Sequence, residues 1–198
     1  MTRRPLAVAI TGGIAAGKTE ALAAFERRGA AVSSADAIVH RVYREDDELK
    51  SLLRARWGDR VFAGDGSVDR AAVAAIVFAD RAELDWLESV LHPRVARAHE
   101  QWRAEQEARP DPPALVVVEI PLLFESGGES RYDKVVVLTA PAELRAQRRG
   151  DGLEARESRL IPDEEKLRRA DFAYVNDGSL EELDAFVGGV VEELGSQS

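Results

Sequence analysis

The clearest chemistry in the chain lies in Gly12-Gly13-Ile14-Ala15-Ala16-Gly17-Lys18-Thr19, which matches G-x-x-x-x-G-K-[ST] in full. Glycines let a backbone curl until successive N–H groups face one anion. A helix opening at the end of such a loop adds the partial positive charge of its N-terminus. Lys18 can reach the outer phosphates of a nucleoside triphosphate, and the Thr19 hydroxyl suits Mg²⁺. Gly12, Gly13, Ala15, Ala16, Gly17, Lys18, Thr19 and Glu20 are therefore the candidate ATP-binding residues. The loop specifies a triphosphate; it does not name a reaction.

Such a loop needs a strand before it and a helix after it. Leu6–Ile10 is a continuous apolar run, and Thr19–Arg28 reads as helical. Further apolar runs at Ala114–Val118 and Val135–Leu138 lack polar alternation, which fits strands buried on both faces of a parallel sheet. Ala30–Ser33 and Phe172–Val175 are weaker strand candidates. Residues 37–108 look almost wholly helical, with a Gly-rich interruption at Gly58–Gly66. Arg109-Pro110-Asp111-Pro112-Pro113 stops that stretch. Ser179-Leu180-Glu181-Glu182 is a capping box opening a last helix, and Asp80 to Glu83 is a second capping pattern. Strands alternating with helical segments give an α/β fold with a mostly parallel sheet.

The 198 residues suit one domain carrying a helical part. The net charge of -9 argues against nucleic acid as a partner, which calls for a basic face. There is no cysteine, so disulfides and thiolate metal sites are excluded. The 3 histidines show no metal-ligand spacing. The apolar runs are strand-sized and the N-terminus shows no signal-peptide pattern, so the expectation is a cytoplasmic protein with no membrane partner.

Motifs beyond the loop narrow the class. Thr11 to Thr19, Ser34-Ala35-Asp36, Leu91-His92-Pro93, Glu119-Ile120-Pro121-Leu122-Leu123-Phe124-Glu125, Glu164 to Asp171, and Asn176 to Ser179 occur in the order seen in dephospho-CoA kinases. The chain resembles that family over nearly its whole length. The resemblance implies a three-layer P-loop kinase fold with a parallel sheet, a helical acceptor-binding part near 37–108 and a short lid near 149–163. It implies transfer of a phosphate from ATP to the ribose 3′-hydroxyl of dephospho-CoA.

By resemblance Lys18, Asp36 and Arg148 are the catalytic residues, with Arg149, or Arg156 and Arg159 in the lid itself, as alternatives to Arg148; Arg148 and Arg149 could instead be a solvated basic helix end. Asp36 would orient and deprotonate the hydroxyl and act on Mg²⁺ through water; it could equally cap a helix starting at Ala37. Thr11, Asp36, His92, Leu123 and Phe124 are the acceptor-side residues, and Asn176 the adenine-side residue. His92 could instead end a helix before Pro93, and Leu122–Phe124 could instead be core. Glu119 could act through metal-bound water or cap a neighbouring helix.

The chain departs from the family pattern at Ala15-Ala16, where Gly-Ser is usual, at Ser34, where an acidic residue is usual, at Glu119, where aspartate is usual, and in a shortened segment from Gly150 to Pro162. A kinase for another nucleotide or nucleoside acceptor, and a nucleotide-binding protein without transfer, are the alternatives. The Asn-Lys-x-Asp motif of guanine-specific switches is absent.

Overall fold

The computed structural model describes residues 4–149 and 160–196, without the side chain of Arg149. Two compact units emerge: Met1–Ser34 with Glu105–Ser198, and Ala35–Ala104.

The first unit holds one sheet, with strands β1 (Leu6–Gly12), β2 (Ala31–Ser34), β3 (Leu115–Glu119), β4 (Lys134–Thr139) and β5 (Phe172–Val175) in the order β2-β3-β1-β4-β5. Every pairing is parallel; Leu6 stands opposite Leu115, and Gly12 opposite Leu138. The two-residue period of a strand sorts the apolar side chains onto two faces. Val8, Ile10, Leu115, Val117, Val136 and Leu138 pack with helices α1 (Lys18–Arg27) and α8 (Leu180–Ser196). Ala9, Val135 and Val137 pack with Leu123 and Phe124 of the loop after β3, and with Ile161, Leu167 and Ala170 around helix α7 (Asp163–Arg168). Helix α6 (Ala142–Arg149) follows β4.

Aspartates fasten the sheet at its start. Asp133 accepts from the Ala7 N–H and from Arg4, and Asp171 accepts from the Val135 N–H and from Lys134. Opposite, Arg28 at the end of α1 donates to both carboxylate oxygens of Asp184 in α8, at 2.9 and 2.5 Å. The capping box is present: Ser179 N–H donates to Glu182, and Glu182 N–H donates to Ser179 Oγ at 3.2 Å.

The second unit is helical: α2 (Ala35–Glu45), α3 (Asp47–Trp57), a 3₁₀ turn at Gly58–Val61, α4 (Arg70–Ala79) and most of α5 (Arg81–Glu107). Ile38, Val42, Leu49, Leu53, Val73 and Leu87 are among its buried residues. Asp46 and Asp69 cap α3 and α4 by accepting backbone N–H groups. The second capping pattern is half made: Asp80 accepts from Ala82 N–H, whereas Glu83 turns to Arg56 and to the Trp57 indole N–H.

Two expected boundaries move. Helix α2 begins at Ala35, so Asp36 lies inside its first turn rather than capping a helix at Ala37. Helix α5 continues through Pro93, so His92 does not end a helix. Proline removes one N–H from the ladder; the next residue, Arg94, donates its guanidinium to Val90 O at 2.9 Å.

Candidate active site

The phosphate loop leaves β1 at Gly12 and enters α1 at Lys18. Gly12 has φ 135°, and a Cβ there would lie 1.7 Å from Leu138 O, so the neighbouring strand forbids any side chain. Gly17 has φ 94°, and its Cβ would meet Asn176 Nδ2 at 2.3 Å. Gly13 N–H donates to Leu138 O at 3.1 Å, which ties the loop to β4. Ala15 also takes a left-handed conformation, φ 58°, the one non-glycine to do so among the described residues. The departure at this position therefore falls where glycine has a backbone advantage.

Lys18 Nζ donates to Gly13 O at 2.8 Å and to Gly12 O at 3.4 Å, so its ammonium lies against the loop. Thr19 and Glu20 are exposed on the first turn of α1. Ala16 is buried beneath the loop, and its carbonyl accepts from Asn176 Nδ2 at 2.9 Å. Asn176 is itself buried, with its backbone N–H on Thr139 O. Its side chain braces the loop.

Two arginines of α6 reach the loop. Arg148, exposed, donates to Ala15 O at 3.2 Å. Arg145 was not anticipated from sequence. Its Nη1 lies 3.0 Å from where a Gly13 Cβ would stand, and its Nη2 lies 3.6 Å from Asp163 Oδ2. Its position three residues before Arg148 is the signal that could have found it, since residues three apart share a helix face.

The acceptor-side residues divide. Thr11 is fully buried, with its hydroxyl 3.4 Å from Pro121 O. Leu123 and Phe124 lie in the core, and Arg169 stands over the Phe124 ring at 4.3 Å. All three are buried, at 0%, 0% and 5% exposure. Thr11 lies within the central strand β1, and the string after β3 turns Leu123 and Phe124 onto the sheet; Leu122 is the member left exposed, at 50%. Glu119 ends β3 opposite Ile10 and Ser34. In the other unit Asp36 and His92 are both exposed.

Among the described residues no group of three or more His, Cys, Asp or Glu side chains could hold a metal, and no helix is long and apolar enough to cross a membrane. Arg156, Arg159 and most of the expected lid lie outside the described residues, as does the Arg149 side chain.

A glycine-pinned loop between a parallel strand and a helix N-terminus defines a P-loop nucleotide-binding protein. The family model described as dephospho-CoA kinase matches residues 6–182. The chain belongs to the dephospho-CoA kinase family. It is 37% identical over 199 residues to the dephospho-CoA kinase of Mesorhizobium japonicum, covering 97% of this chain and 98% of that one. Among solved structures it resembles TT1252 from Thermus thermophilus, with TM-score 0.76, 36% identity and coverage of 97% and 99%. It also resembles the dephospho-CoA kinase from Campylobacter jejuni, with TM-score 0.73, 29% identity and coverage of 96% and 98%.

Proposed function

We propose that this chain phosphorylates the ribose 3′-hydroxyl of dephospho-CoA with ATP, giving CoA and ADP. The observation that carries the reading is the phosphate loop, with Lys18 lying against it, in a chain whose family match runs over residues 6–182.

Each residue then has a task. The loop N–H groups and Lys18 bind the outer phosphates of ATP. Arg145 and Arg148, both of α6, offset the charge that spreads over the transferring group, a role suited to the planar guanidinium. Asp36, an exposed carboxylate, orients the 3′-hydroxyl and takes its proton as the oxygen bonds to the γ-phosphorus. The bond from that phosphorus to the bridging oxygen breaks, and ADP leaves. Mg²⁺, when bound, neutralises phosphate charge; hard oxygen donors suit it, and Thr19 offers one. The helical unit, which carries the exposed His92, is the part that we assign to acceptor binding. Asn176 acts by holding the loop's shape.

The test is ADP release measured with dephospho-CoA against a panel of nucleosides and nucleotides. Turnover with dephospho-CoA should exceed every other acceptor at equal concentration. A nucleoside turned over faster would transfer the assignment to another acceptor.

A further inference from the structure

Two strings of the sequence, Pro121–Glu125 and Glu164–Asp171, contain residues that the chemistry above does not use. The structure brings them together. Lys166 is the only charged residue fully buried among the described ones, at 0% exposure. Its Nζ lies 2.9 Å from Glu125 Oε1, and the same oxygen accepts the Ile161 N–H at 3.0 Å. Burial opposes the charge on Glu125, but the Lys166 ammonium beside it and backbone N–H groups prevail and hold its carboxyl below the usual glutamate range. A pair of apolar side chains would stabilise such a site as well or better. Glu125 Oε2 is also buried without a hydrogen-bond partner among the described residues, so the pair is poorly arranged for stability alone.

Its geometry leads to the phosphate loop. Pro162 follows Ile161, and Asp163 follows Pro162 at the start of α7. Asp163 Oδ2 stands 3.6 Å from Arg145 Nη2, and Arg145, with 13% of its side chain exposed, lies against Gly13. We propose that Glu125 and Lys166 are positioning residues: their buried pair latches the segment Leu160–Asp163 to the loop after β3 and so sets Arg145 against the phosphate loop. Arg169, at the far end of α7, stands over Phe124 and pairs with Glu129, which fastens that end of the helix to the same loop region. The inference rests on the kinase reading, since it takes Arg145 as a ligand of the nucleotide's phosphates.

The experiment compares the wild type, Glu125→Gln, the apolar pair Glu125→Leu/Lys166→Met, and each of these with Arg145→Ala. Melting temperature, the ATP dissociation constant, kcat and KM are measured for each. The apolar pair leaves no buried charge, so it should melt near the wild type while kcat falls on the order of ten- to a hundredfold, as expected for a misplaced catalytic group. Glu125→Gln keeps an acceptor for Ile161 N–H and should lose less. On the Arg145→Ala background the latch substitutions should change kcat and ATP affinity by less than about twofold, because they act through Arg145. Wild-type kcat in a folded apolar pair would overturn the proposal, and so would losses that multiply with that of Arg145→Ala. Failure of the unaltered protein to phosphorylate dephospho-CoA would sink the functional reading instead. The latch is then still judged by ATP titration, where weakening that disappears with Arg145→Ala supports it and unchanged affinity refutes it.

Discussion

In the proposed reaction Lys18 has the greatest leverage on the chemistry. Its ammonium already lies against the loop carbonyls of Gly12 and Gly13, so little reorganisation separates it from a phosphate. Removing one such charge-stabilising group costs on the order of a hundredfold in kcat or more. Lys18→Ala should lose that much transfer while melting as the wild type does; near-normal turnover in the folded variant would contradict the loop's role. Ala15 makes a different prediction. A left-handed residue with a Cβ costs about 1–2 kcal/mol, and glycine's extra freedom in the unfolded chain returns about 0.4–1 kcal/mol of that. Ala15→Gly should therefore stabilise the protein by up to about 1.6 kcal/mol in chemical denaturation; a loss of stability would show that the strain is absent. Gly12 and Gly17 were legible because the motif names them. The strain at Ala15 was not, because the pattern leaves that position free. The burial of Leu123 and Phe124 was not legible, since an apolar string after a strand looks alike in a core and in a binding wall.

Among the elements, the α1–α8 contact makes a prediction with a definite sign. Hydrogen bonds from Arg28, then from Arg27, hold the Asp184 carboxyl well below the usual aspartate range. A carboxylate lowered on folding contributes stability above its unfolded value of about 3.9 and loses it as pH falls toward the folded value. The melting difference between the wild type and Asp184→Asn should therefore be flat from about pH 5 to 8 and shrink below about pH 4. An equal difference at pH 3 and pH 7 would contradict it. These helices were readable because local rules decide them: the Ser179–Glu182 box forms as written. The Asp80 pattern failed at Glu83 because the partners Arg56 and Trp57 come from a distant part of the sequence. Pro93 failed as a stop signal because α5 runs on past it to Glu107.

At the scale of the molecule, the strands were visible as apolar runs but their order was not. Pairing β1 with β3 and β4 joins residues more than a hundred positions apart, as Leu6 with Leu115, and no local pattern records that choice. The central place of β1 is what carries the phosphate loop to the middle of the sheet's C-terminal edge, where open α/β sheets bind ligands. The second unit, Ala35–Ala104, is helical, and its acceptor-binding task is part of the proposal. The most direct measurement is ³¹P NMR of the product formed from ATP and dephospho-CoA, with the 3′-deoxyribose analogue as a second acceptor. The account predicts ADP and one new phosphate monoester on the 3′-oxygen in equal amounts, and no product from the analogue. A monoester on any other oxygen, or turnover of the analogue, would contradict it.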